Sequence, residues 1–207
     1  MSCRLTQIFE KQAELFRRFS VIEAQNDFYV PPVPVNSIDG FHLQQCLRDY
    51  AWRIVEELTE ATTVSNNPLH KREELIDAYH FFIELFYILG YTADRLFHSY
   101  FEVVNRFPQD TTCRLDIMFF DANMYPDDPA PYGIVEDLGR AMNTLKNRPW
   151  KVTTKKTDIP KFFTFLHRAH VRFIHFVVAQ TGMTAEDFFQ AYQDKASLNH
   201  QRISGIA

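Results

Sequence analysis

Glu57 and Glu60 lie three apart in VEELTE, and Glu74 and Asp77 lie three apart in EELIDA, on either side of the turn-forming stretch TTVSNNP. On helices, each pair shares one face. If the chain reverses at Asn66-Asn67, an antiparallel hairpin sets residue 57 opposite 77 and residue 60 opposite 74, as two rungs about one turn apart. Four facing carboxylates cannot all ionise unless protonation, basic partners or a hard cation offsets their repulsion. Oxygen-only ligands favour magnesium, with manganese second, over zinc. A magnesium site keeps open positions for water and for phosphate oxygens, so the predicted chemistry is metal-assisted attack on a phosphate ester. The competing reading is two solvated helix faces, to which single acidic pairs usually belong. Against it stand the mirrored register and the apolar neighbours Leu58, Leu75, Ile76 and Tyr79. Glu56 and Glu73 are the acids expected on the wet side.

The elements that must carry these acids are helical. Leu5, Ile8, Phe9, Gln12, Leu15, Phe16 and Phe19 recur at three and four, which predicts a first helix over about 4–19. VPPVPV then forces an extended linker. Leu43, Leu47, Tyr50, Ile54, Leu58 and Ala61 predict a second helix from Asp39 to about 62. Asn67 as cap and Pro68 in the first turn open a third, which stops at Gly90. Thr92 caps a fourth that ends near Phe107-Pro108. Residues 108–132 carry Pro and Asp punctuation; CRLDIMFF within them reads as a short strand, and the whole segment as an insertion or lid. Further helices are predicted over about 133–147, over 158–180 and from Thr184 to about 200, the last with a capping-box start at Thr184 and Asp187. The expectation is one all-α domain over 1–207, a helical bundle built round the acidic hairpin.

An ExxE followed, after a short hairpin, by an ExxD is the signature of the all-α triphosphate pyrophosphatases. Here it reads Glu57-Leu-Thr-Glu60 and Glu74-Leu-Ile-Asp77. The stretch EELIDAYHFFIELFYILGYTADRLFHSY, with His80-Phe81 after the aspartate, resembles the dimeric dUTPases and the related phage dCTP/dUTP pyrophosphatases. GMTAEDFFQAYQDKASLNHQR is similar to that family's last block, Y-x-x-K-x-x-x-N-x-x-R, which falls on Tyr192, Lys195, Asn199 and Arg202. With the YGI start at Tyr132, the resemblance covers most of the chain and is weakest between about 108 and 160.

The resemblance implies a cytoplasmic homodimer whose four acids hold magnesium against a deoxynucleoside triphosphate, dUTP or dCTP, cut to monophosphate and pyrophosphate. Tyr192, Lys195, Asn199 and Arg202 would grip phosphate or sugar, Glu60 would be the general base, and His80 would stand behind the metal ligands. The family tends to read uracil with Q-x-x-L followed by a second amide; this chain offers Gln12, Leu15 and then Phe16, so Gln12 is the expected base contact. The chain also ends in Arg202-Ile-Ser-Gly205-Ile-Ala, where the family continues with a glutamine and a glycine-tyrosine.

Composition narrows the rest. Lys and Arg number 22 against 26 Asp and Glu, a net charge of −4 that lacks the basic surplus a nucleic-acid backbone demands. No run approaches the roughly 20 apolar residues of a membrane span. Cys3, Cys46 and Cys113 are far apart, without CxxC spacing, and read as reduced thiols. His167, His170 and His175, spaced three and five, cannot converge on one ion and are expected to pack. Trp52 is expected in the core. A di-iron oxidoreductase would need a second Glu-x-x-His motif near Glu57 and Glu60, which is missing. The rivals are a non-catalytic helical protein of the same fold and a broad-specificity MazG-like pyrophosphohydrolase.

Overall fold

In the computed structural model, residues 3–35, 37–63, 67–106, 108, 113–125, 130–148, 150 and 155–205 are described, and those in regular elements form eight helices. They are α1 (Arg4–Gln25), α2 (Phe41–Thr63), α3 (Pro68–Ile88), α4 (Ala93–Val104), α5 (Arg114–Met124), α6 (Pro131–Thr144), α7 (Ile159–Thr181) and α8 (Ala185–Ile203). The all-α expectation holds. Two helix pairs, α2 with α3 and α6 with α7, make the most extensive contacts, and α1 and α8 pack across α3.

Local chemistry explains where these helices begin and stop. The Asn67 side chain accepts from the backbone amides of Leu69 and His70, both at 3.2 Å, and Pro68 supplies a fixed φ at the first turn. At the other end of α3, Gly90 turns with φ +76, and a Cβ there would stand 2.9 Å from Pro34 Cβ. The Pro-rich linker therefore lies against this turn, where Val35 N donates to Ile88 O at 3.2 Å. Thr184 and Asp187 form the reciprocal capping box that opens α8.

The periodic apolar residues supply the core. Leu58, Leu75, Ile76, Tyr79, Phe82, Phe86, Leu166, Phe173 and Phe188 are buried in one hydrophobic cluster. Full burial of each such side chain contributes about 1.5–3 kcal/mol. The α7 histidines join this packing. His170 stacks on Tyr79 at 6.0 Å between ring centroids, and His167 meets the Tyr91 hydroxyl at 2.6 Å.

Several expectations need correction. CRLDIMFF is not a strand: Leu115, Met118, Phe119 and Ala122 are buried at helical spacing, and α5 packs against α1, α4, α7 and α8. That helix belongs to the bundle and is not a lid; residues 109–112 and 126–129 of the segment lie outside the described residues. α1 runs six residues past Phe19, although Val21 and Ile22 on this extension are exposed. Trp52 is 60% exposed on the outside of α2, with its indole N–H donating to Glu56 at 2.7 Å. No helix among the described residues is long and apolar enough to cross a membrane.

Candidate functional site

Three of the four predicted acids converge. Carboxylate oxygens of Glu57, Glu74 and Asp77 lie within 4.8 Å of one another. Burial, then the neighbouring carboxyls of Glu74 and Asp77, push Glu57 up to about 8. Lys195 Nζ pairs with Asp77 Oδ2, and His70 Nδ1 lies 3.0 Å from Glu74 Oε1. Burial raises Asp77, and the Lys195 ammonium opposes that shift.

Glu60 is exposed and lies outside this group of three. The reason is register. With α2 ending at Thr63 and α3 starting at Pro68, Glu57 stands beside Glu74 rather than one rung further along, which leaves Glu60 beyond the cluster and exposed. Glu56 and Glu73 are exposed, as expected.

The oxygen donors fit a hard divalent cation. Three acids this close, each neighbour raising Glu57, form a nest of negative charge that the ion pair to Lys195 only partly offsets. Glu57, Glu74 and Asp77 are the residues that would hold such an ion.

A cavity of about 280 Å³ opens beside the acids, and its lining joins distant parts of the sequence. Glu57 and Asp77 stand with Lys195, Asn199 and Arg202 of α8, while Gln12, His80 and Glu84 line the same space. The two motifs, more than a hundred residues apart, thus meet in one hollow. Arg202 is exposed at its rim and acts on Asp77 through charge.

Tyr192 stands elsewhere than expected. Its ring is fully buried and stacked on His80 at 4.0 Å, and its hydroxyl donates to Gln12 Oε1 at 2.7 Å. It therefore positions Gln12 and His80 and does not line the cavity. Gln12 is correspondingly occupied: Oε1 also meets His80 Nδ1 at 2.9 Å, and Nε2 donates to Glu84 Oε2 at 3.3 Å. Both carbonyl lone pairs are used, so Gln12 offers a ligand only its second N–H.

Two acids of this region were not anticipated. Glu84 is 5% exposed, accepts from the Tyr50 hydroxyl at 3.2 Å and is pushed up to about 8 by burial and then by Glu23. Glu23, carried in by the extension of α1, lies 3.4 Å from Arg53 NH1 and lines the same cavity. A signal for Glu84 was present in the sequence, because Asp77, His80 and Glu84 form an i, i+3, i+7 stripe on one helix face. Compared with family models, curated proteins and solved structures, the chain matches none of them.

Proposed function

We propose that the protein hydrolyses a pyrimidine deoxynucleoside triphosphate, dUTP or dCTP, to the monophosphate and pyrophosphate with magnesium, or manganese in its place, as cofactor. The observation that carries this reading is the cavity whose lining joins the Glu57 and Asp77 carboxylates to Lys195, Asn199 and Arg202 and to Gln12 and His80. Acids suited to a metal, cations suited to phosphates and polar groups suited to a base share one hollow.

In this reading Glu57, Glu74 and Asp77 hold the ion, which when bound neutralises phosphate charge and lowers the pKa of a coordinated water. Lys195 and Arg202 meet the remaining phosphate charge, Arg202 through a planar fork suited to phosphate oxygens. Asn199 offers an amide to sugar or phosphate. Glu60, exposed one turn beyond Glu57 and uncommitted to the acidic group, is the carboxylate available to take the proton of the attacking water. Attack at the α-phosphorus releases pyrophosphate. A homodimer is part of the same proposal, and sedimentation tests it.

The deciding experiment incubates each deoxynucleoside triphosphate with protein and magnesium and quantifies monophosphate, pyrophosphate and orthophosphate. Pyrophosphate release from a pyrimidine nucleotide is expected. Orthophosphate with a diphosphate left behind would contradict the proposed cleavage. Equal turnover of dATP and dGTP would replace the proposal by a broad MazG-like activity, and no turnover of any nucleotide would favour the non-catalytic rival.

A further inference from the structure

Arg168 and Arg172 stand four apart on α7, and nothing in the proposed reaction uses them. At that spacing they share a helix face. With Arg106, just past the end of α4, they line a cavity of about 350 Å³ that has no lining residue in common with the one beside the acids. Its size falls in the range of small-molecule sites, and no carboxylate is among its lining residues. Two buried acids balance the arginines in part. Asp121 accepts from Arg106 Nε and NH2 at 2.6 and 2.7 Å, a fork that leaves the NH1 donors unused. Asp137 is fully buried and lies 3.4 Å from Arg168 and 3.3 Å from Arg172, yet neither of its oxygens has a hydrogen-bond partner among the described residues. Three guanidinium groups thus meet two carboxylates, and one positive charge is left over.

The N–H groups are under-used in the same way. Arg168 meets Asp137 through charge alone. Arg172 NH1 donates to Gly133 O at 2.9 Å, and a Cβ on residue 133 would come within 2.5 Å of that nitrogen, so the glycine makes room for the guanidinium. Guanidinium forks with spare donors, gathered in one hollow, suit the several oxygens and charges of a phosphate better than a single carboxylate. The remaining wall is apolar. Val103, Val104 and Val171 line it, and the half-exposed Tyr125 ring carries the Arg106 guanidinium 4.2 Å from its centroid. These side chains can hold the ring and sugar of a ligand whose phosphates reach the arginines.

We propose that this second cavity binds a nucleoside phosphate, with Arg168, Arg172 and NH1 of Arg106 on the phosphates and the three valines and Tyr125 against the nucleoside. The site requires no metal, since guanidinium groups alone supply the positive charge. It stands apart from the pyrophosphohydrolase reading, and either can fail without the other.

The test titrates ADP, inorganic pyrophosphate and adenosine calorimetrically into the full chain in the presence of EDTA. ADP is expected to bind severalfold more tightly than pyrophosphate, and adenosine not measurably. No binding of ADP, or binding of pyrophosphate or adenosine as tight as that of ADP, overturns the assignment of a nucleoside phosphate. Arg168→Gln is expected to weaken ADP about tenfold or more, the scale of lost hydrogen bonds to a charged group, while Arg202→Gln in the other cavity leaves it unchanged. Full affinity in a folded Arg168→Gln, or an equal loss in Arg202→Gln, takes ADP out of this cavity and overturns the inference. If Arg168→Gln does not fold, phenylglyoxal modification of the unmodified protein, mapped by mass spectrometry, decides in its place. ADP should then protect Arg168 and Arg172 and leave Arg202 reactive, and any other pattern overturns the inference.

Discussion

Lys195 of α8 is ion-paired with Asp77 of α3, so the cation proposed to meet the phosphates and an acid proposed to hold the metal engage each other directly. The pair favours the charged form of Asp77 against the burial that raises its pKa, and it would compete with a divalent cation for the same oxygen. Lys195→Met should therefore move two affinities in opposite directions. Magnesium alone is expected to bind severalfold more tightly to the variant, and a triphosphate more weakly. Calorimetric titrations measure both, and a fall in both affinities would refute a competition between lysine and metal.

Glu74→Gln removes one negative ligand at nearly constant shape. Turnover is expected to drop by at least about a hundredfold, the scale of a lost transition-state charge contact. Glu74 is also one of the groups that raise Glu57, so the variant's Glu57 should hold its proton less firmly and magnesium binding should release fewer protons than in the unmodified protein. Unchanged turnover would take Glu74 out of the site.

Glu84 gives the protein a pH dependence of known sign. Its carboxyl is raised from 4.5 to about 8 by burial and by Glu23, against the opposing pull of the Tyr50 hydroxyl and Arg53. The folded state thus keeps a proton that the unfolded chain releases. That contribution to stability is fully present below about pH 4.5 and is lost as pH rises through 8. The melting temperature of the unmodified protein, minus that of Glu84→Gln, should decline from pH 5 to pH 8. A difference that is flat or rises with pH would show that Glu84 ionises normally. The contribution of Glu57 is common to both proteins and cancels.

Tyr192→Phe deletes the buried hydroxyl that donates to Gln12 Oε1 at 2.7 Å. A stability loss of about 1–3 kcal/mol is expected, because the carbonyl keeps only His80 as a partner. Nucleotide affinity should fall while magnesium affinity stays unchanged, since the phenol touches none of the three clustered acids. Parallel denaturation and titration separate the two effects, and a loss of magnesium binding would contradict the positioning role.

Asn67→Ala removes the cap that starts the acid-bearing helix. Urea denaturation should show a loss of about 1 kcal/mol, and Asn67→Gly should lose only a few tenths. Equal losses would mean that the backbone conformation of Asn67, with φ −124 and ψ 93, matters more than its side chain.

Much of this fold is legible in local signals because capping residues act over three or four positions. Asn67, Pro68, Thr184 and Asp187 are such signals, and each marks the helix start it suggested. The acidic hairpin is legible for a related reason: short connections constrain register. Its remaining error, the outward position of Glu60, follows from a pairing register in which Glu57 meets Glu74 as well as Asp77. Glu84 is harder to see, since a lone acid in FFIELF is told from its apolar neighbours only once Asp77 and His80 mark the face it shares. Glu23 is invisible to periodicity, because the apolar stripe of α1 fades before the helix stops and Val21 and Ile22 point outward. The role of Tyr192 depends on contact between α8, α1 and α3, which no local pattern encodes.

The amide of Gln12 binds Tyr192 of α8 and both His80 and Glu84 of α3, so one side chain of α1 ties together three helices. Under the proposed function, discrimination and folding would therefore draw on the same bonds. A lineage that drifted towards another nucleotide by altering Gln12 would first have to survive the loosening of its own scaffold. Changes at Arg202, which is exposed, would carry no such penalty. In that reading phosphate grip is open to variation at little cost, while the choice of base is bound to stability.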